Sequence, residues 1–357
     1  MSLLAHIEQF TQRDWQTEAD GTVRLALVGL GWWTIEEVLP AIEASQRCET
    51  TVLVTGSQGK GERVASDVET VSDVLSYDDF HDASARGAYD AVYICTPNAT
   101  HLEFAETAAD LGKAVLCEKP MEATVERAER LVEVCDEASV TLVVGYRMQT
   151  EPAIRRARDL IRDGAIGEPQ FARGTNTQTL LDVISNRDQW RLDSDLTGYG
   201  ASVMDLGIYH INTTRFLLDA DPIAAHATMA SDHEAFDDVP DERASFMLEF
   251  ENGVFSTCTT SQNSQANTSL EITGTDGRLR IEPAYHMETD LEVTVDDSTV
   301  QFDIPNPNQM TELFEYFAEA VLTDLDGTAQ GRSGLVDLRT IAAIHAAAES
   351  EQRVEID

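Results

Sequence analysis

Lysine is nearly missing from this chain. Of 25 basic residues 22 are arginine, and the only lysines are Lys60, Lys113 and Lys119. Positive charge as a whole is scarce, with 64 Asp and Glu against those 25 and a formal net charge of −39, which argues against nucleic acid or an anionic membrane as partner. No apolar run is long enough to span a bilayer and no signal peptide is evident, so no membrane association is expected. The five cysteines form no CxxC pair and are odd in number; they read as buried free thiols of a reducing, cytoplasmic compartment. The eight histidines form neither HExxH nor a Cys/His cluster, so no metal is expected.

What is present describes a folded protein with an acidic skin. The chain is 42% hydrophobic, and its acids are spread through periodic segments rather than massed in a disordered tail. Such a surface repels itself in dilute buffer, whereas at molar salt the Debye length falls to roughly 3 Å. The composition therefore predicts a halophilic protein. A length of 357 residues predicts two domains.

Val23–Val28 reads as a strand running into Gly29-Leu30-Gly31-Trp32-Trp33-Thr34 and then a helix through Ile42. The two glycines allow a tight turn and close approach to a pyrophosphate resting on the helix N-terminus, although Thr34 stands where the dinucleotide fingerprint has its third glycine. Tyr89–Cys95 and Ala114–Cys117 read as buried parallel strands flanking a helix from Ala99 to Leu111, with Gly112 as its C-cap. This doubly wound pattern stops near Gly145. Downstream, strand-like runs at 170–178, 223–230, 244–250, 254–260, 268–274, 278–282, 291–295 and 299–304 are joined in places by hairpin turns. Glu251-Asn252-Gly253 and Thr275-Asp276-Gly277 are such turns, with glycine accepting positive φ. Helices are expected over Glu151–Asp163, Ser202–Leu218, Asn308–Leu322 and Leu335–Ser350. The expectation is an α/β Rossmann domain over 22–145 and a substrate domain over 146–357, built on an open antiparallel sheet with helices on one face. Residues 1–21 form an arm with Leu3, Leu4, Ile7 and Phe10 at helical spacing and Trp15 beyond.

Lys119, in Glu118-Lys119-Pro120, is a lysine kept where arginine prevails. A guanidinium stays charged near neutral pH, so the choice points to chemistry at the ammonium. The second strand ends in Thr55-Gly56-Ser57-Gln58-Gly59-Lys60 with no acid to hold a ribose 2′-hydroxyl. Ser57 and Lys60 suit a 2′-phosphate instead, which selects NADP over NAD.

Five motifs, the Gly29 turn, Thr96-Pro97-Asn98-Ala99-Thr100-His101, Glu118-Lys119-Pro120, Trp190-Arg191 and Gly198–Tyr209, resemble in order the glucose–fructose oxidoreductase, inositol dehydrogenase and rhizopine catabolism family. Gly145-Tyr146-Arg147 and Asp205-x-x-x-Tyr209 are similar to the branch in which tyrosine replaces the histidine of other members, and with the acidic composition the chain is most similar to haloarchaeal D-xylose dehydrogenases. The resemblance implies Lys119 and Tyr209 as the catalytic pair and Asp205 as holder of a sugar hydroxyl. It places Trp190 and Arg191 on the nicotinamide and substrate side. Thr96, Pro97, Asn98, His101, Glu118 and Arg147 join Gly29, Leu30, Gly31, Trp32, Trp33, Ser57 and Lys60 along the cofactor. It also implies a homo-oligomer through the second sheet.

The chemistry asks for the same residue types. Removing a hydride from a carbinol carbon requires a base for its hydroxyl proton, and a phenol serves near neutral pH only beside a cation such as Lys119. On a helix Asp205 and Tyr209 are one turn apart and share a face. His210 faces elsewhere and reads as structural, while Asp110 and the acidic face over Glu122 to Asp136 read as solvated surface. The expected activity is NADP-dependent oxidation of an aldopyranose, D-xylose foremost, at C1. The alternatives are another polyol or diol, a sugar–sugar oxidoreductase with retained cofactor, and a non-catalytic NADP-binding regulator.

Overall fold

In the computed structural model, residues 11–17, 19–323 and 328–356 are described, and they form two compact units. The positions Leu3, Leu4, Ile7 and Phe10 of the expected arm lie outside the described residues; Trp15 stands edge-on to Tyr316 with ring centres 5.4 Å apart.

The first unit comprises Trp15–Arg147 and Asn308–Leu335. Its strands are β1 (Val23–Val28), β2 (Cys48–Val54), β3 (Asp73–Leu75), β4 (Ala91–Ile94), β5 (Ala114–Cys117) and β6 (Leu142–Val144). They form one sheet in the order β3-β2-β1-β4-β5-β6, with every pair parallel. Strand order reverses between β1 and β4, so the crevice of a doubly wound sheet opens at their carboxyl ends. Helix His101–Asp110 ends with Gly112 at φ +66°, as its C-cap role requires. Helix Val125–Ala138 starts on a Thr124 cap, whose hydroxyl accepts from Arg127 N at 3.3 Å. Glu122 is not the solvated acid expected. It is fully buried and accepts from Leu102 N at 3.1 Å and Arg127 Nη2 at 2.8 Å, because the amide and the guanidinium give a buried carboxylate its partners.

Helix Gln309–Thr323 belongs to this unit, whereas the sequence pattern predicts everything from residue 146 onward for the second domain. The reason is its apolar stripe. Met310, Leu313, Phe314 and Phe317 repeat at helical spacing, are buried, and share one core with Leu27, Val38, Ala41, Ile42 and Tyr93. The Phe314 ring stands 5.5 Å from that of Tyr93.

The second unit contains Met148–Pro307 and Val336–Asp357. Its strands are β7 (Pro169–Thr179), β8 (Pro222–Ala230), β9 (Arg243–Phe250), β10 (Phe255–Ser261), β11 (Asn263–Gly274), β12 (Gly277–Ile281), β13 (Leu291–Val295), β14 (Ser298–Phe302) and β15 (Val354–Glu355). They form a sheet ordered β14-β13-β12-β11-β7-β10-β9-β8-β15. All neighbours are antiparallel except β7 and β10, which run parallel. Along β7 the side chains alternate. Ala172, Gly174 and Asn176 are buried, while Phe171 and Arg173 are exposed. Gly174 makes room for the helix behind it, since a Cβ there would lie 2.1 Å from His210 Nδ1. Both expected hairpins form, but only Gly253 takes a positive φ, +85°. At Gly277 the requirement is close strand approach instead, because a Cβ would lie 2.5 Å from Thr294 O.

Candidate active site

In the Rossmann unit the turn after β1 is built around Gly29. Its φ is +92°, and a Cβ would lie 2.2 Å from Cys95 O, so no other residue fits without moving β4's exit. Gly31 differs, for its Cβ would meet nothing within 4 Å, which leaves that side of the turn open to a ligand. Thr34, in place of the third glycine, is fully buried and donates its hydroxyl to Gly29 O at 2.7 Å. A π-turn, Thr34–Val38, leads into helix Leu39–Ala44. The wide turn accommodates Pro40, which has no amide to give.

Trp32 is 45% exposed, and Trp33 stands edge-on to it at 5.5 Å. The indole N–H of Trp33 has no hydrogen-bond partner among the described residues. Arg147 is buried, with its guanidinium 5.9 Å from the Trp33 ring and a hydrogen bond to the Gln309 side-chain oxygen. The Lys60 ammonium donates to Leu30 O, which ties helix Gln58–Ala65 to the glycine turn. Ser57, at the start of that helix, is exposed and its side chain makes no capping bond. Arg63 was not singled out from the sequence, yet its Nη1 lies 3.8 Å from the Cβ position of Gly59. Its spacing of three from Lys60 was the available signal. An open glycine turn, an unused hydroxyl at a helix N-terminus and two cations suit a phosphorylated dinucleotide.

At the β4 exit, Thr100 donates to Thr96 Oγ1 and to Pro97 O, at 2.9 and 2.7 Å. Asn98 is 3% exposed. His101 is buried between Thr96 O at 2.9 Å and Met121 O at 3.2 Å, so it braces two loops from behind. Glu118 accepts from Tyr93 Oη at 2.8 Å and from Lys119 N at 3.1 Å. Lys119 is half-buried, and its bond to Pro120 is cis.

In the second unit, a π-turn over Val203–Gly207 leads into helix Ile208–Leu218. From Ala201 to His210 only Asp205 and Tyr209 are half-exposed; every other residue is buried. The two therefore form the open edge of a packed segment, as their spacing predicts. Arg191 lays its guanidinium 4.4 Å from the centre of the Trp190 ring and brings Nε to 3.6 Å from Asp205 Oδ2. Gln262 Nε2 donates to the same oxygen at 3.0 Å. The Tyr209 ring centre lies 6.2 Å from that of Tyr285.

His210 is structural. It is fully buried, contacts Tyr285 Oη at 2.9 Å and Ser256 Oγ at 2.6 Å, and burial pushes its pKa down to about 3. Asp241, also fully buried, was missed in the sequence. Its carboxylate accepts from Ala201 N at 2.5 Å and Val203 N at 2.7 Å, which caps the segment that carries Asp205 and Tyr209.

All five cysteines are free, and four are buried. Among the described residues no helix is long and apolar enough to cross a membrane, and no group of three or more His, Cys, Asp or Glu is arranged to hold a metal ion.

Comparison with known proteins extends the local geometry to the whole chain. Residues 23–146 match the oxidoreductase family, NAD-binding Rossmann fold, and residues 154–280 match the GFO/IDH/MocA C-terminal domain. The chain is 52% identical over 352 residues to a D-xylose 1-dehydrogenase [NADP(+)] of Haloarcula marismortui, covering 98% of each chain. It is 28% identical to D-xylose 1-dehydrogenase (NADP(+)) 2 of Haloferax volcanii, across 93% of this chain and 98% of the relative. Among solved structures, aldose-aldose oxidoreductase from Caulobacter crescentus, complexed with glycerol, superimposes with a TM-score of 0.88 at 29% identity, covering 94% of this chain and 99% of its own. With both domain types matched in order and this identity sustained from end to end, the chain belongs to the GFO/IDH/MocA family of oxidoreductases.

Proposed function

We propose that this protein oxidises D-xylose at C1 to the lactone, with NADP as acceptor, in the cytoplasm of a salt-adapted cell. The 52% identity with a D-xylose 1-dehydrogenase [NADP(+)] over 98% of both chains carries the reading. The glycine turn, Ser57, Lys60 and Arg63 hold the dinucleotide, and no acid stands after β2 to prefer a free 2′-hydroxyl. Bound NADP supplies the acceptor for the C1 hydride. Tyr209 takes the anomeric hydroxyl proton, and Lys119 lowers the cost of the phenolate by its charge. Asp205, held by Arg191 and Gln262, accepts a hydrogen bond from a sugar hydroxyl and so fixes which carbon faces the acceptor. Copies of the chain meet through the outer face of the second sheet, where Phe171 and Phe255 pair in register and are 57% and 45% exposed.

Initial rates with D-xylose and D-glucose, each with NADP and NAD in molar KCl, test the reading. A higher kcat/KM for D-xylose with NADP is expected, and a clear preference for glucose or for NAD overturns that part of it. The likeness to an aldose-aldose oxidoreductase favours one second reading, hydride shuttling between two sugars on a retained cofactor. Turnover of a sugar pair without added NADP selects it, and no turnover with any sugar selects a non-catalytic regulator.

A further inference from the structure

Gln262 occupies an unusual place in the second unit. Strand β10 ends at Ser261 and β11 begins at Asn263, yet the two lie on opposite sides of β7. One residue therefore makes the crossing over the end of β7, and its side chain is completely buried. Every polar group of that residue is engaged. Gln262 N donates to Glu242 O at 2.9 Å and Leu180 N donates to Gln262 O at 2.8 Å. Nε2 donates to Asp205 Oδ2 at 3.0 Å, and Oε1 accepts from Gln178 Nε2 at 2.8 Å. An ionised Asp205 only accepts, so Gln262 presents its NH₂ to it, and the remaining oxygen must take the donor from Gln178.

We propose that Gln262, oriented by Gln178, is a positioning residue that fixes the Asp205 carboxylate in its sugar-binding, ionised form. The role in sugar binding rests on the aldose dehydrogenase reading; the control of Asp205 does not. Burying an amide costs free energy unless it is bonded, and an apolar residue at the crossing could not hold the carboxylate. Arg191, from the turn Trp190–Leu192, is a charged group that meets Asp205, with Nε at 3.6 Å. Tyr209 follows one turn along the helix. On the far side of Gln262, the Glu242 carboxylate is occupied by Asn263 Nδ2 at 2.8 Å and by the amides of Asp232 and His233.

The test is Gln262→Glu, which keeps the shape and the acceptor for Gln178 but sets a second carboxyl against Asp205. Two carboxylates at that distance share a proton. Thermal unfolding in molar KCl from about pH 5.5 to about pH 9 should show Q262E losing stability relative to wild type as pH rises, and Asp205→Asn in the same chain restoring most of the loss. In the steady state, KM for D-xylose should rise about tenfold at alkaline pH with a smaller change in kcat, the kcat/KM profile should gain an ionisation, and NADP affinity should hold. A wild-type pH dependence of unfolding in Q262E, or a loss that Asp205→Asn does not relieve, overturns the control of Asp205. Unchanged KM and pH profile, with the melting effect present, overturn its part in sugar binding. Absence of aldose turnover in the wild type instead defeats the aldose reading, and the melting series then decides the control of Asp205 alone.

Discussion

The cap on the segment bearing Asp205 and Tyr209 makes a prediction whose sign can be worked out. Asp241 is buried with its carboxylate on Ala201 N and Val203 N, and burial raises its pKa from the ordinary 3.8 to about 7. The folded state therefore holds the Asp241 proton more tightly than the unfolded chain does. Its contribution is fully present below about pH 4 and is lost as pH rises through about 7, a swing of roughly 4 kcal/mol at 1.4 kcal/mol per unit. Asp241→Asn removes the titration. It also leaves one of the two main-chain donors without an acceptor, a cost of about 1–3 kcal/mol that does not vary with pH. About 3 kcal/mol of that swing falls between pH 5 and pH 8.5, so across this range the variant should gain about that much on wild type and should match or exceed it near pH 8.5. His345 lies 3.9 Å away, and burial lowers its pKa from 6.5 to about 4. Its contribution has the opposite sign, present above about 6.5 and lost as pH falls through about 4, so from about pH 5 upward His345 is neutral in the folded protein. Equilibrium urea unfolding in molar KCl across that range measures the difference directly. A gap between the two proteins that stays constant within about 1 kcal/mol would refute the reasoning.

Replacing Tyr209 by Phe or Lys119 by Met should lower kcat/KM by about 10²–10⁴-fold while cooperative unfolding and NADP binding persist; substantial activity in Tyr209→Phe moves the proton acceptor elsewhere, with Asp205 the next candidate. Lys60→Ala should raise KM for NADP more than KM for NAD, because it removes a cation beside the turn that follows β2, and equal changes would show that it only steadies Leu30. Melting temperature and activity should climb together as KCl rises from dilute to molar, since a charge of −39 needs screening. Cooperative unfolding and full activity in dilute buffer would contradict that.

Patterns with a local period were readable before the fold was known. The alternation in Leu291–Val295 marked a strand with the observed bounds, and the four-residue step from Asp205 to Tyr209 placed both on one open edge. What escaped has no local period. The stripe of Met310, Leu313, Phe314 and Phe317 announced an apolar face but not the core it would fill, so the return of that helix to the first unit was not foreseen. Asp241 meets Ala201 across 40 residues and Gln262 meets Asp205 across 57, and no spacing rule reaches that far. Glu122 looked like surface because composition counts charges without seeing Arg127 and Leu102 N waiting for one. The hairpin at Gly277 was found for a reason that the backbone does not use there.

The membership of helix Gln309–Thr323 in the Rossmann core has a consequence for biosynthesis. A chain emerging from the ribosome makes β1 to β6 first, then the whole span Met148–Pro307, and only afterwards the residues that cover Leu27, Val38, Ile42 and Tyr93. The segment translated first must wait, with an apolar groove open, until the whole of that span has been read, although domains ordinarily fold in the order of synthesis. A fragment ending at Arg147 is for the same reason no transplantable nucleotide-binding cassette: it should be insoluble or chaperone-bound, and a peptide spanning the late helix, supplied in trans, should rescue it.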